Sequence, residues 1–540
     1  MLLIDLRTMR AANAALNAKL LPPGIGADAR NLDISQGDFR GMRGLLLAHT
    51  LTGVVAQSSS IYRMGRDTPS DTAYWLATEA DADYARSLLA TDPTERTYIT
   101  GGGGVPRYTD NTLLGSPPYP TGTVSLGVPA PSGGMTLTLG TPGTGPTETR
   151  TYTQTFLRAN LDESAPDTTS ATINVPGGST VSISGLPAAS GGSHGITLRR
   201  IYVSTGTTEF QRIASQAVAT TTATDDGVTR GDILQTGGST SKPTWLTPPD
   251  AGFGILPLWS GMHGLLEGKA YRVCVQFNPH AWPVEYRRQV PDTIVGSATW
   301  GENWLLATTG LPRVVNGSSP AGMIARPIVG FKQACRSKRS VKSVGHGVCW
   351  ASNDGLAYHG QLGTKILTDG ILTKAQWRAL DPTSIIGASW GRWYIGFYND
   401  GTTRGSFMID TVEPAGIIWT DEEGYGTFED SISETLYVLG AGNIIRKWDY
   451  GTQLEATYKS AVYAVPTEAN AGCVRIVATE YPVRFTLWAD DEIVCYQAEL
   501  FDDEPIRLPG GYVARNFQAQ IQAKGPVEGV FVGTEFADLP

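Results

Sequence analysis

Few residues in this chain have the types and spacing that chemistry needs. Gly191-Gly192-Ser193-His194-Gly195 fits the pattern G-x-S-x-G. In a hydrolase that pattern holds a serine on a sharp strand-to-helix turn. Here Leu186–Ser190 reads as a loop and the residues after Gly195 read as a strand, so Ser193 is not expected to be a nucleophile. His346, Cys349 and His359 lie close together but lack the spacing of a structural zinc site, and read as hairpin residues. The five cysteines (Cys274, Cys335, Cys349, Cys473, Cys495) are odd in number and form no C-x-x-C, so they read as buried, reduced thiols. Asp490-Asp491-Glu492 and Asp502-Asp503-Glu504 lack the alternating spacing of a calcium loop and read as solvated turn acids. Lys332, Arg336, Lys338, Arg339 and Lys342 form a basic cluster that suits a solvated loop or a subunit contact. No catalytic, cofactor-binding or metal-binding residue is assigned, and no enzyme activity or cofactor is expected.

The elements that carry these residues are strands. The chain has 64 glycines and 33 prolines among 540 residues, and only 17% charged residues. Average proteins have roughly 7% glycine and roughly 25% charge. That composition excludes helical bundles, and the aromatic content of 9% excludes a disordered chain. The expected class is all-β, with short strands and Gly/Pro turns. Residues 78–90 are the exception, an expected helix with acids in its first turn. Leu45 to Ala56 reads as a strand. No run of 18 apolar residues exists, so no membrane span is expected. Asp5 falls where a signal peptide would be apolar, which points to synthesis in a cytoplasm.

Five segments follow from the pattern. Residues 1–112 hold an N-terminal segment and a first propeller blade. Residues 113–149, rich in Gly, Pro, Thr and Ser, read as a linker. Residues 150–250 read as an inserted β-sandwich of fibronectin type, with period-two alternation over 150–236. Residues 251–452 carry a repeat of strand, tight turn and strand, with turn glycines at 268, 310, 355, 401 and 442. A hairpin repeat of 40–50 residues marks propeller blades. The hairpin at Gly101–Gly104 has the same form, giving about six blades. Residues 453–540 read as a C-terminal β-unit closing the propeller.

Charge is uneven. Residues 421–540 hold 20 acids and 8 bases, a balance of −12, so the remaining 420 residues are slightly positive although the whole chain is −9.

Several stretches resemble one family in order along the chain, the tail nozzle (tail tubular, or packaged-DNA stabilisation) proteins of short-tailed bacteriophages. They are Leu20-Leu21-Pro22-Pro23 with Ala29-Arg30-Asn31, Glu95–Gly101, Pro118-Tyr119-Pro120 with Leu126–Pro131, Tyr152–Phe156 leading to Glu163-Ser164-Ala165-Pro166, Arg199–Tyr202, Asn278-Pro279-His280-Ala281-Trp282-Pro283-Val284-Glu285-Tyr286, and Ile521–Gly525 through Thr534–Leu539. One departure is the absence of a glycine in Arg158–Glu163, just before the Glu-Ser-Ala-Pro turn.

The resemblance implies a structural virion protein of the phage tail, assembled as a homohexameric ring that continues the DNA channel. Its partners would be further copies of itself, the portal or head-to-tail adaptor, tail fibres or spikes, and passing genomic DNA bound without sequence specificity. Such a ring retains the packaged genome and lets it pass into the host. A wall lined with Lys and Arg would hold the duplex by counterion release. The acidic terminal region is therefore expected to face the channel or its exit. The alternatives are a head-to-tail adaptor or other tail component, and a propeller that binds or degrades glycans with Trp, Tyr and paired acids.

Overall fold

The computed structural model describes the chain except residues 34–38, 66–73, 90–91, 190–192, 207–208 and 235–244. The described chain is nearly all β, with one α-helix, Lys374–Ala379. Among the described residues, no helix is long and apolar enough to cross a membrane.

Six four-strand units recur along the described chain; five are separate sheets, and the one that begins at Ile386 is the end of a ten-stranded sheet. Their first strands are Ala82–Arg86, Phe253–Pro257, Ile294–Trp300, Lys342–Ser343, Ile386–Trp390 and Gly426–Asp430. Each of the glycines 268, 310, 355, 401 and 442 falls between the second and third strands of its sheet, as does the Gly101–Gly104 turn. Gly102 and Gly103 have φ of +62° and +76° there, a region that L side chains disfavour. The last sheet takes its fourth strand from the N-terminal region. Leu46–Thr50 pairs antiparallel with Ile444–Lys447. The expectation that residues 453–540 close the repeat is therefore corrected, because those strands pair among themselves and with other N-terminal segments.

The chain divides into two compact units. One comprises residues 76–294 and 315–325. It contains the sheets that begin at Ala82 and Phe253, and between them in sequence a seven-stranded sandwich. One layer of the sandwich is Thr136–Leu139, Val181–Ser184 and Ala223–Asp225. The other has the order Ala171–Pro176, Thr147–Arg158, Ile196–Thr205, Gln211–Ala217. Tyr152, Val175, Val181, Ile183, Ile201 and Val203 fill the space between the layers.

Two expectations are corrected in this unit. The helix over 78–90 is instead the strand Ala82–Arg86, paired residue by residue with Thr97–Gly101. Sheet pairing overrides the local helical signal here, with Ala82 and Ala85 buried. The linker over 113–149 is partly sandwich and partly sheet. Thr136–Leu139 pairs with Val181–Ser184, and Val124–Ser125 pairs with Arg107 and Tyr108. Threonine-rich sequence fits a strand as well as it fits a loop.

The other unit comprises residues 1–75, 295–314 and 326–540. Its repeat strands bury both faces, which explains apolar runs such as Val348-Cys349-Trp350-Ala351. Val348 and Trp350 pack with Trp300 and Leu305 of the preceding sheet. Cys349 packs the other way, with Tyr394 and Phe407 of the following sheet. Tyr394 and Ile395 likewise point to opposite clusters. Successive side chains of a strand leave on opposite faces, so the sheets that begin at Lys342 and Ile386 each pack against a neighbour on both faces.

Residues 456–540 supply most of a second sandwich, one layer of which continues through Asp28–Arg30 into the strands that begin at Ile386. One layer has the order Ala456–Lys459, Ala514–Ala523, Val483–Ala489, Glu492–Leu500. The other includes Cys473–Ala478 and Val527–Gly533, with Leu2–Leu6 added at the edge of Val527–Gly533. The Met1 ammonium donates to Thr534 Oγ1 at 2.7 Å and pairs with Asp538.

Candidate functional site

Most residues singled out in the sequence are occupied structurally. Gly191 and Gly192 lie outside the described residues. Ser193 Oγ lies 2.6 Å from Ser125 Oγ, and His194 Nδ1–H donates to the Gly127 carbonyl at 2.9 Å. A strand, Ile196–Thr205, follows this turn rather than a helix. His359 Nδ1 meets Thr364 Oγ1 at 2.6 Å, while Cys349 lies in the core. All five thiols are free and buried, and burial pushes those of Cys274 and Cys335 up to about 12. No group of three or more metal-ligating side chains occurs among the described residues.

Both acidic triplets sit at turns. Asp490 and Asp491 have φ of +48° and +71° in the two-residue turn between Ala489 and Glu492. Asp490 accepts from Asn516 Nδ2 at 2.6 Å and from the Arg515 and Asn516 amides, which holds its carboxyl below the usual range. Asp503 pairs with Arg475 at 3.0 Å. The basic cluster is dispersed. Arg339 turns inward to donate to the Ser59 and Tyr425 carbonyls, and Lys342 lies near Glu429.

A different place gathers accessible groups. The strands Ile386–Trp390 and Trp393–Asn399 meet in a two-residue turn, Gly391-Arg392, in which Gly391 has φ +56°. Trp390 and Trp393 are directly paired across it. Cross-strand partners leave a sheet on the same face, so the two half-buried indoles share one face. Leu32, Met42, Met408 and Ile418 line a small apolar hollow with them. On a second side lies an open hollow of about 760 Å³, bounded by the indoles, Ser389, Glu429–Ser431 and Glu434–Leu436. A third hollow, about 450 Å³, shares Arg392 and Trp393 and reaches Thr8–Ala11 and Asp410.

The charges around the open hollow are mostly matched. Asp430 is buried against Arg63 at 2.9 Å and also accepts from Ser433 Oγ. Glu429 accepts from the Ser389 amide at 2.7 Å. Burial raises its carboxyl above the ordinary range, and nearby Lys342 opposes that shift. Arg392 turns to Asp410 and Glu413. Glu434 is exposed on the loop opposite the indoles, with φ +51°. Sequence reasoning passed over this groove. The signal was Trp390-Gly391-Arg392-Trp393, two indoles bracketing a two-residue turn.

No known protein family matches the chain, and no curated protein matches it. Solved structures give distant likenesses. Hsv2 of Kluyvelomyces marxianus is 11% identical over 45% of this chain and 69% of its own, with a TM-score of 0.25. PorZ of Porphyromonas gingivalis is 10% identical over 64% of this chain and 45% of its own, with a TM-score of 0.26. The extracellular domain of a putative hybrid two component system from B. thetaiotaomicron is 9% identical over 89% of this chain and 69% of its own, with a TM-score of 0.27.

The Asn278–Tyr286 stretch has a structural task in its own unit. His280 Nε2–H donates to the Glu163 carbonyl at 3.0 Å, and Trp282 Nε1–H donates to the Pro279 carbonyl at 2.9 Å. Ala281 packs with Ala165 and Trp245. The stretch thus clasps the Glu163-Ser164-Ala165-Pro166 turn. Beside it, Asp162 faces Arg158 at 3.1 Å, Arg96 at 3.3 Å and His280 at 3.5 Å. Arg96 and Arg158 both lie over the Tyr108 ring. Burial works to raise the Asp162 carboxyl, but His280, Arg96 and Arg158 together hold it below the usual carboxylate range. Leu161 takes φ +68° where a glycine would be at ease, which is how the turn forms without one.

Proposed function

We propose that the chain is a six-bladed β-propeller subunit of a phage tail nozzle ring, a structural virion protein rather than an enzyme. The observation that carries the propeller is the last four-stranded sheet, completed by Leu46–Thr50 from the N-terminal region. Borrowing a strand from the other end of the chain is how a closed ring of sheets avoids an open edge. The six equivalent turns support the same count. The sandwich enters between the first two repeats as an insertion.

The nozzle role rests on the ordered sequence resemblance, and the charge distribution agrees with it. A wall dominated by carboxylates lets a duplex slide, whereas a basic wall would stall it. The chain would act in the virion tail, in contact with the adaptor or portal and with fibres or spikes.

Mass measurement of the purified chain under native conditions, with electron microscopy of the same sample, tests the reading. Rings of six copies with an axial channel support it. A monomer at high concentration, with no ring in the presence of virion tail proteins, overturns it.

A further inference from the structure

The groove beside Trp390 and Trp393 is built like a binding site. The two cross-strand indoles supply apolar wall to the groove, and Met408 and Ile418 line the small hollow next to them. Facing that surface are groups that exchange hydrogen bonds with water: Ser389, Glu429, Ser431 and Glu434. The open volume of about 760 Å³ lies in the range typical of small-ligand sites.

The lining discriminates among ligand classes. A wholly apolar ligand would strip water from Glu434 without replacing its hydrogen bonds. An anionic ligand would meet two carboxylates, Glu429 and Glu434, while Arg392 is already turned to Asp410 and Glu413. A cation could lie on an indole face beside Glu434, but Asp430 is matched by Arg63 and Glu429 has Lys342 nearby, so Glu434 is the one carboxylate of the three with no ion pair among the described residues to oppose a cation's attraction, and spermidine serves as the competing probe in the test below. A pyranose ring fits both halves of the groove. Its C–H face suits the indoles, and its rim hydroxyls donate to carboxylates and exchange bonds with serines.

We propose that this groove binds a neutral saccharide, with one ring lying on Trp390 and Trp393 and its hydroxyls on Glu434 and Ser431. The inference does not depend on the nozzle reading, because it concerns a surface of the isolated chain.

The test is a panel of immobilised neutral, uronic-acid and sialylated oligosaccharides. Indole-fluorescence titration of the full chain follows, using the best neutral oligosaccharide, its component monosaccharide, and spermidine as a cationic probe. Trp393→Phe and Glu434→Gln are the variants, each checked for an unchanged melting temperature. Trp393→Phe narrows the platform and keeps an aromatic core residue, and Glu434 is exposed. The expected result is binding of a neutral oligosaccharide that weakens tenfold or more in both folded variants, with sialylated chains bound more weakly. Tighter binding of the oligosaccharide than of its monosaccharide assigns the site to a polymer chain, and equal binding assigns it to a free sugar. The proposal is overturned if no neutral saccharide binds at 10 mM, if only spermidine binds, or if both variants bind as the parent does.

Discussion

Replacing Asp162 by alanine tests the buried polar cluster most severely. The carboxylate has 12% of its side chain exposed and faces Arg158, 2% exposed, and Arg96, 9% exposed. Removing it leaves two guanidinium charges in a region of low dielectric. Breaking a buried pair in this way costs about 3–5 kcal/mol. Arg158 keeps hydrogen bonds to the Ser125, Leu126, Gly127 and His194 carbonyls, so the lower half of that range is expected. For a unit of this size each kcal/mol moves the melting temperature by about 2–4 °C, so the loss is on the order of 10 °C. The pH dependence has a definite sign. The Asp162 carboxyl is depressed in the folded state, so its stabilisation is present above the ordinary carboxylate range and is lost progressively as pH falls from that range through its own lower folded-state value. The parent and Asp162→Ala melting curves should therefore differ at pH 7 and converge toward pH 3. Calorimetry across that range is the assay. A shift of under 2 °C at pH 7, or a gap that stays constant into acid, would refute the reasoning.

Further outcomes follow from other contacts. Asn443→Ala removes both bonds to the N-terminal segment, Ser58 N–H to Oδ1 and Nδ2–H to the Ala56 carbonyl, each 2.8 Å, at a position with φ +59°. Denaturant unfolding should show a loss of about 2–4 kcal/mol. Glu429→Gln should raise the melting temperature at pH 7, because burial penalises the charged carboxyl, and the gain should vanish below the ordinary glutamate range, as a pH series of melts would show. Leu161→Gly should be neutral or stabilising by up to about 1 kcal/mol, whereas Leu161→Val should destabilise, since a β-branched residue resists the φ of +68°. Deleting residues 1–6 should lower hydrogen-exchange protection at the amides of Val527–Gly533 that face Leu2–Leu6, while those paired with Cys473–Ala478 keep theirs.

What was legible in the sequence was local. Gly268, Gly355, Gly401 and Gly442 mark turns because a tight turn demands particular backbone angles, and those demands show in one residue. The 150–236 alternation was readable because strands such as Val181–Ser184, with Val181 and Ile183 buried and Ser182 exposed, bury one face in the sandwich. What could not be read were pairings across hundreds of residues. Arg63 meets Asp430, and Leu46–Thr50 meets Ile444–Lys447, through the path of the whole chain. The 78–90 stretch misled because its acids and leucines satisfy a helical pattern, while its pairing with Thr97–Gly101 lies outside any local window. The Trp390–Trp393 groove needs the 429–434 loop opposite it, which sequence order does not place there.

An electron cryomicroscopy reconstruction of the assembled protein tests the central claim most directly. Six copies are expected around an axial channel, each a six-bladed propeller, with the carboxylates of residues 421–540 turned toward the channel or its exit. A monomer, an open chain of sheets, or those carboxylates on the outer surface away from the axis would contradict it.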